Sequence, residues 1–289
     1  MPRVGSSELL VAKFIEALDS ASAEDRYRVV REFLRGIDDP DDRQYIETIY
    51  NTRSSLPALD ERVVILIHGI RTHAVWQELI KTKLDNQTTL RVYPVGYDYY
   101  DIFNFLLTPL TSLFAKRKVL REIRNIRADH PMAHMVVVAH SFGTYLMSKI
   151  LMKNSDVRLR GLLLCGSIIP TRYRWDLIPH FPGDGVINDC GTKDNLPVLA
   201  KIVNGSFGYS GTFGFKTGKV TDRYHNFGHS DFFSEEFIDQ YWVPFITQGS
   251  CVPSTWSWQR PNPHWIISFL SLLSVEKLLF FAVLAYWLS

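Results

Sequence analysis

The sequence predicts an α/β protein built on a mostly parallel sheet with helices on both faces. Three observations lead there. From residue 61 onward, short apolar runs alternate with longer stretches of helical period. The runs are continuous in hydrophobicity, as strands covered on both faces are. Of the 289 residues, 46% are hydrophobic and 21% charged, enough to bury such a sheet.

The elements follow in order. Residues 6–55 come before this pattern and read as two or three helices. Leu9, Leu10, Phe14, Ile15 and Leu18 make one apolar face, and Val29, Val30, Phe33, Leu34 and Ile37 the next. Ser22 and Asp25 are start signals, and Asp39–Asp42 with Pro40 marks a break. These residues predict an N-terminal helical extension over 1–57. Val63–Ile67 is the first apolar run, bounded by Arg62 and Gly69, and residues 74–85 are helical by period. Thr89–Val95 is β-branched and extended, and residues 117–128 return to a helical period. Met135–Ala139 is a buried run, 142–153 a helix, and Leu162–Cys165 and Val186–Asn188 two further runs. Val220–Tyr224 fits a last strand and Phe232–Phe245 a closing helix. One α/β domain is therefore expected over 58–249, then a linker over 250–263 in which Pro261 and Pro263 stop whatever precedes.

The C-terminal segment, 264–289, has a different character. From Trp265 to Leu288 it is mostly aliphatic and aromatic, with Trp265 at one end and Tyr286 and Trp287 at the other. At about 1.5 Å per residue such a helix is long enough to cross a bilayer. Glu276 and Lys277 oppose this, because each costs roughly 2.5–3.5 kcal/mol at a helix centre. The expectation is a single C-terminal membrane segment, with the α/β domain on the cytoplasmic side.

Charge and cysteines exclude several classes. The 32 Lys+Arg and 30 Asp+Glu leave a net charge of +2, too weak a field to argue for nucleic acid. Three cysteines, Cys165, Cys190 and Cys251, make no disulfide framework, and no Cys/His spacing fits zinc. A reducing compartment is the simplest reading for the folded part. Neither a metal site nor a nucleotide loop is visible, so no cofactor is expected.

The most informative segment is Met135-Val-Val-Val-Ala139-His140-Ser141-Phe142-Gly143. A serine here leaves a buried strand and enters a helix with no loop between. Such a turn holds the serine in a strained conformation with its hydroxyl exposed at the sheet edge. The residues two before and two after must be small, because strand and helix nearly collide; Ala139 and Gly143 meet that need. As a bare pattern, small-x-Ser-x-Gly is weak, and the strand and helix around it supply the specificity. Asn204-Gly-Ser206-Phe-Gly208 is a decoy that follows a helical pattern. The plainer alternative for Ser141 is a helix-capping serine.

With this elbow and the earlier segment Val63-Val-Ile-Leu-Ile67-His68-Gly69-Ile70-Arg71, the chain resembles the α/β-hydrolases, in the branch of serine esterases and lipases whose oxyanion loop begins His-Gly. The resemblance covers roughly residues 60–248. It implies an eight-stranded, mostly parallel sheet, a Ser–acid–His triad and an oxyanion hole. It implies Ser141 as nucleophile, the N–H of Phe142 as one oxyanion donor, and the Gly69–Ile70 loop, most simply Ile70, as the other. His68 then orients the loop. The base comes late in the family order, and His229 in Gly228-His229-Ser230-Asp231 fits best, with His225 as the alternative. For the acid, Asp194 fits the position before a turn into a helix. Asp189 is the alternative and Asp176 the third candidate. Any of these aspartates also suits a helix N-cap.

Residues 97–115 are aromatic and apolar, broken by Pro109, and Lys116, Arg117, Lys118, Arg121, Arg124 and Arg127 follow. An apolar stretch beside a basic stripe suits an anionic membrane surface, and equally an ordinary crossover helix. Taken with the C-terminal run, it points to a lipid or another acyl ester as substrate. The same triad would also serve an acyltransferase or a protein deacylase. A catalytically silent membrane scaffold of the same fold is the non-enzymatic alternative. No residue identifies a protein partner.

Overall fold

A computed structural model describes residues 9–14, 16–17, 26–53, 61–68, 75–84, 90–96, 108–131, 133–255 and 265. The chain divides into two compact units, Met1–Glu61 with Arg124–His134, and Arg62–Ile123 with Met135–Ser289.

In the first unit, helices α1 (Arg26–Arg35) and α2 (Pro40–Arg53) follow a short helical stretch at residues 9–14. Pro40 opens α2, where a missing N–H costs nothing. Asp39 Oδ1 caps it, accepting from the N–H groups of Asp41 at 2.8 Å and Asp42 at 3.3 Å. Phe14, Val30, Leu34, Ile37, Ile46 and Tyr50 form a small core. The expected start signals Ser22 and Asp25 lie outside the described residues.

The second unit is a six-stranded sheet with order β2-β1-β3-β4-β5-β6. Its strands are β1 (Arg62–Ile67), β2 (Leu90–Val95), β3 (His134–His140), β4 (Gly161–Cys165), β5 (Val186–Gly191) and β6 (Thr221–His225). The pairings β1–β2, β3–β4, β4–β5 and β5–β6 are all parallel. Parallel neighbours force the chain to cross back between strands, and helices make most of these crossings. They are α3 (Val75–Leu84), α4 (Thr108–Asp129), α5 (Phe142–Lys153) and α6 (Leu196–Val203). The chain adds β2 on one side of β1, then turns to β3 on the other. That reversal falls at the carboxyl ends of β1 and β3, where open α/β sheets place their chemistry.

Among the described residues, six strands stand where the resemblance implied eight, and ahead of β1 the described segments 9–14, 16–17, 26–35 and 40–53 are helical. Helix α4 begins at Thr108, nine residues earlier than its period alone suggests, because Pro109 sits in its first turn, where proline is tolerated. The expected closing helix over Phe232–Phe245 is a composite. A 3-10 turn at Asp231–Phe233 leads to a helical turn at Glu235–Phe237, a π-helical turn at Ile238–Trp242 and an α-helix at Val243–Gln248. Pro244 has no N–H to continue an α-helical ladder, and the π turn stands just before it.

The C-terminal membrane helix and the membrane localisation are corrected. Among the described residues, no helix is long and apolar enough to cross a membrane. Glu276 and Lys277 give the physical reason from sequence, since they divide the apolar run into halves of about 17 Å each, short of a bilayer core of about 30 Å. Apart from Trp265, the segment 264–289 lies outside the described residues, as do residues 97–107 and most of the expected linker.

Candidate functional site

Strand β3 ends at His140 and helix α5 begins at Phe142, so Ser141 alone makes the turn. Its backbone stands at φ 53° and ψ −120°, and among the described residues it is the one non-glycine residue with positive φ. Such a conformation costs on the order of 1–3 kcal/mol and persists only where its surroundings impose it. Those surroundings are specific. The Ser141 N–H donates to the Cys165 carbonyl at 3.0 Å, extending the β3–β4 ladder by one residue. Thr144, fully buried, donates its hydroxyl to the Ser141 carbonyl at 2.6 Å and accepts from the Ile168 N–H at 3.3 Å. At Gly143, a Cβ would lie 2.8 Å from the Ile67 carbonyl oxygen and 2.9 Å from that of His68. The end of β1 therefore comes within contact of the first turn of α5, and only glycine fits between them. Ala139, the small residue on the strand side, is fully buried.

Asp194 follows β5 by three residues and is 1% exposed. One carboxylate oxygen, Oδ1, accepts from the Leu196 N–H at 3.0 Å, the first N–H of α6. The other, Oδ2, is 2.8 Å from His229 Nδ1. One residue thus meets the start of α6 with one oxygen and a histidine with the other. The loop is tied across to the end of β6 and the residues after it: Thr192 N–H donates to the His225 carbonyl at 2.9 Å and Lys193 N–H to the Phe227 carbonyl at 3.0 Å.

His229 stands in the loop after β6. Gly228 N–H donates to Asp231 Oδ2 at 2.8 Å, which closes the turn around it. Its ring is 4.5 Å from the ring of His140, the residue before Ser141. Gly166 lies against the same ring, 2.7 Å from Cε1 at the place its Cβ would occupy. Gly166 directly follows Cys165, whose carbonyl holds the Ser141 N–H, so Ser141 and His229 flank one short stretch of backbone.

The structure gives the other candidates different surroundings. Asp189 is fully buried, and its oxygens accept from Arg223 Nε at 2.7 Å, Arg223 Nη2 at 2.8 Å and Trp242 Nε1 at 2.9 Å. His225 Nε2 is 3.1 Å from the same carboxylate. Asp189 and His225 therefore belong to one buried cluster beneath β5 and β6, and Asp194 pairs with His229. Asp176 is exposed and bound to Arg174, whose hydrogen bonds hold its carboxyl down at about 2. Ser206 is in an exposed turn that follows α6, with no strand before it. Gly69 and Ile70 lie outside the described residues, while Phe142 is the first residue of α5 and buried. Among the described residues, no group of His, Cys, Asp or Glu side chains could hold a metal ion.

Sheet order and elbow decide the fold. It is α/β-hydrolase-like. No protein-family model matches the chain, and no curated protein matches it either. Similar solved structures include a cutinase-like protein from Cryptococcus sp., at 13% identity and TM-score 0.42, covering 68% of this chain and 98% of that one. A serine hydrolase without lid from Xanthomonas campestris matches at 15% identity and TM-score 0.40, covering 66% of this chain and 82% of that one. A CIB-like hydrolase from Thermoplasma acidophilum matches at 12% identity and TM-score 0.40, covering 75% and 90%. With each of these scores below 0.5, the hydrolase-like fold rests on the chain's own geometry.

Three residues of this region carried no signal of their own in the sequence reading. His140 stood there only as the unspecified position before the serine, Thr144 as one residue of a helical pattern, and Gly166 was not singled out. Gly166 had one usable signal, a glycine directly after an apolar strand at the carboxyl edge of the sheet.

Proposed function

We propose that the protein hydrolyses a carboxylic ester through Ser141, His229 and Asp194. The observation that carries this reading is the 2.8 Å pairing of His229 Nδ1 with Asp194 Oδ2 beside a strand-to-helix turn that strains Ser141. With Nδ1 donating to the carboxylate, Nε2 keeps its lone pair and can accept the serine proton. Ser141 Oγ then attacks the ester carbonyl. The oxyanion is met by the Phe142 N–H at the start of α5, with the Gly69–Ile70 loop as second donor by the family resemblance. His229 returns the proton to the departing alcohol, and an acyl-serine remains. Water, deprotonated by His229, releases the acid and restores the serine.

The substrate class is an acyl ester. The lipid preference drew on residues 97–115 and on the C-terminal run, and the described residues add nothing to it. A fluorophosphonate probe tests the core of the reading, because it reacts with a serine only when an adjacent base activates it. Wild-type protein is expected to take up the probe, and Ser141→Ala and His229→Ala to take up none. Labelling that survives in folded Ser141→Ala would place the reactive serine elsewhere.

A further inference from the structure

We propose that His140 is a positioning residue, holding the loop that carries His229 through a hydrogen bond from its own Nε2 to the His229 backbone carbonyl. The inference rests on the hydrolase reading above and gives that site a member no motif assigned.

The bond's direction follows from chemistry. Nε2 lies 3.2 Å from the His229 carbonyl oxygen, and a carbonyl can only accept. The proton is therefore on Nε2. The other ring nitrogen, Nδ1, is buried and has no hydrogen-bond partner. A proton there would be a second donor with nowhere to point, so Nδ1 keeps its lone pair and the ring is neutral. The residue is 1% exposed. Phe233 packs edge-on against it at 4.9 Å, Trp76 at 6.5 Å, and His229 lies tilted on it at 4.5 Å. Burial is the largest influence holding the imidazole well below its ordinary value. The neighbouring His229 and His68 push the same way, while the bond to the His229 carbonyl opposes them.

Neutrality matters to the reaction. His229 becomes a cation each time it takes the serine proton. A second cation in ring contact would oppose that step, whereas a neutral N–H donor does not. The contact also explains why a polar ring sits in an otherwise aromatic wall. His140, the last residue of β3, joins the strand that leads into Ser141 to the loop that carries His229, so nucleophile and base keep one spacing. Asp194 fixes the ring of His229 at Nδ1, and His140 fixes its backbone.

The test compares His140→Phe, which keeps an aromatic ring and removes the donor, with His140→Gln, which restores an N–H. Hydrolysis of p-nitrophenyl butyrate and the rate of fluorophosphonate uptake are read on folded protein. His140→Phe is expected to lower kcat by about tenfold to a hundredfold with KM within about twofold, and His140→Gln to recover most of the loss. Equal activity of wild type and His140→Phe overturns the proposal, as does equal loss in both variants. Nitrogen-15 spectra of the wild-type histidines supply a readout independent of turnover. His140 should stay the neutral Nε2–H tautomer across about pH 5.5–8.5, and a proton on Nδ1 or a titration in that range overturns the bond. Wild-type protein that takes up no probe defeats the hydrolase reading instead, and the spectra still decide the hydrogen bond.

Discussion

Asp194→Asn is expected to lower kcat by about 10⁴-fold in a protein that still folds, and Asp189→Asn to do the reverse. The two aspartates are five residues apart, Asp189 within β5 and Asp194 just after it, and their partners differ in kind. Asp194 Oδ2 accepts from His229 Nδ1. An asparagine there can present its N–H to Nδ1, which forces the proton onto Nε2 and leaves no lone pair for the serine proton. An asparagine Oδ1 accepts from the Leu196 N–H as the carboxylate does, so that bond survives and stability changes by less than about 1 kcal/mol. Asp189 is different. It faces Arg223 across the β5–β6 register, and both side chains are almost wholly buried. Neutralising it leaves the Arg223 guanidinium buried without a counter-charge, at a cost of about 3–5 kcal/mol. Denaturant unfolding and steady-state ester hydrolysis separate the outcomes. A folded Asp189→Asn protein with no activity, or an active Asp194→Asn, would reverse the assignment.

Asp189 also predicts where acid weakens the fold. Burial pushes its carboxyl up, but the Arg223 charge and the hydrogen bonds from His225 and Arg223 outweigh burial and hold it down at about 2, against 3.8 for an ordinary aspartate. Because the folded value lies below the unfolded one, the stabilisation is fully present above about pH 4 and is lost as pH falls toward about 2. The span corresponds to about 2 kcal/mol. Stability measured from pH 5 down to about 2 should fall more steeply for the wild type than for Asp189→Asn. Parallel curves would show that the ion pair gives no such linkage.

The sequence made Ser141 legible because two periods meet there. A run of valines ends at Ala139, a helical pattern starts at Phe142, and nothing lies between to absorb the change of direction. The preference for Asp194 over Asp189 came from the family position, and no residue nearby in sequence separated the two. What sets Asp189 apart is Arg223, 34 residues later, and a charged residue in a short strand reads locally as a solvated one. Pro109 was read as a break and stands instead in the first turn of α4, because a breaker and a helix start use the same residue. The C-terminal run misled for a related reason. Apolar content alone resembles a membrane span, and the weight of Glu276 and Lys277 depends on where they fall along it. The six-strand sheet was legible strand by strand from Val63 onward. The family's two further strands were implied by the resemblance alone and have no counterpart among the described residues.

Gly166→Ala should reduce kcat by about 10²-fold or more, through a methyl group pressed against the ring of His229. Gly166 follows β4 with φ +55°, so alanine there pays for a left-handed backbone with about 1–2 kcal/mol of stability. The added Cβ would also lie 2.7 Å from His229 Cε1, 2.9 Å from Nδ1 and 3.2 Å from His140 Nε2, against the 3.4 Å at which ordinary contact begins. His229 is not a flexible end that can swing aside, because Asp194 holds its ring. Relief of the clash must lengthen that bond or move the loop, and either takes Nε2 away from the place where it meets the serine proton. Gly185 is the control. It has φ +93°, and a Cβ there would meet nothing within 4 Å. Gly185→Ala should therefore show a comparable loss in thermal unfolding with turnover unchanged. The difference in activity between the two variants, measured on folded protein, isolates the displacement of His229 from backbone strain. If both variants keep wild-type turnover, the position of that imidazole does not govern the reaction, and His229 is not the base.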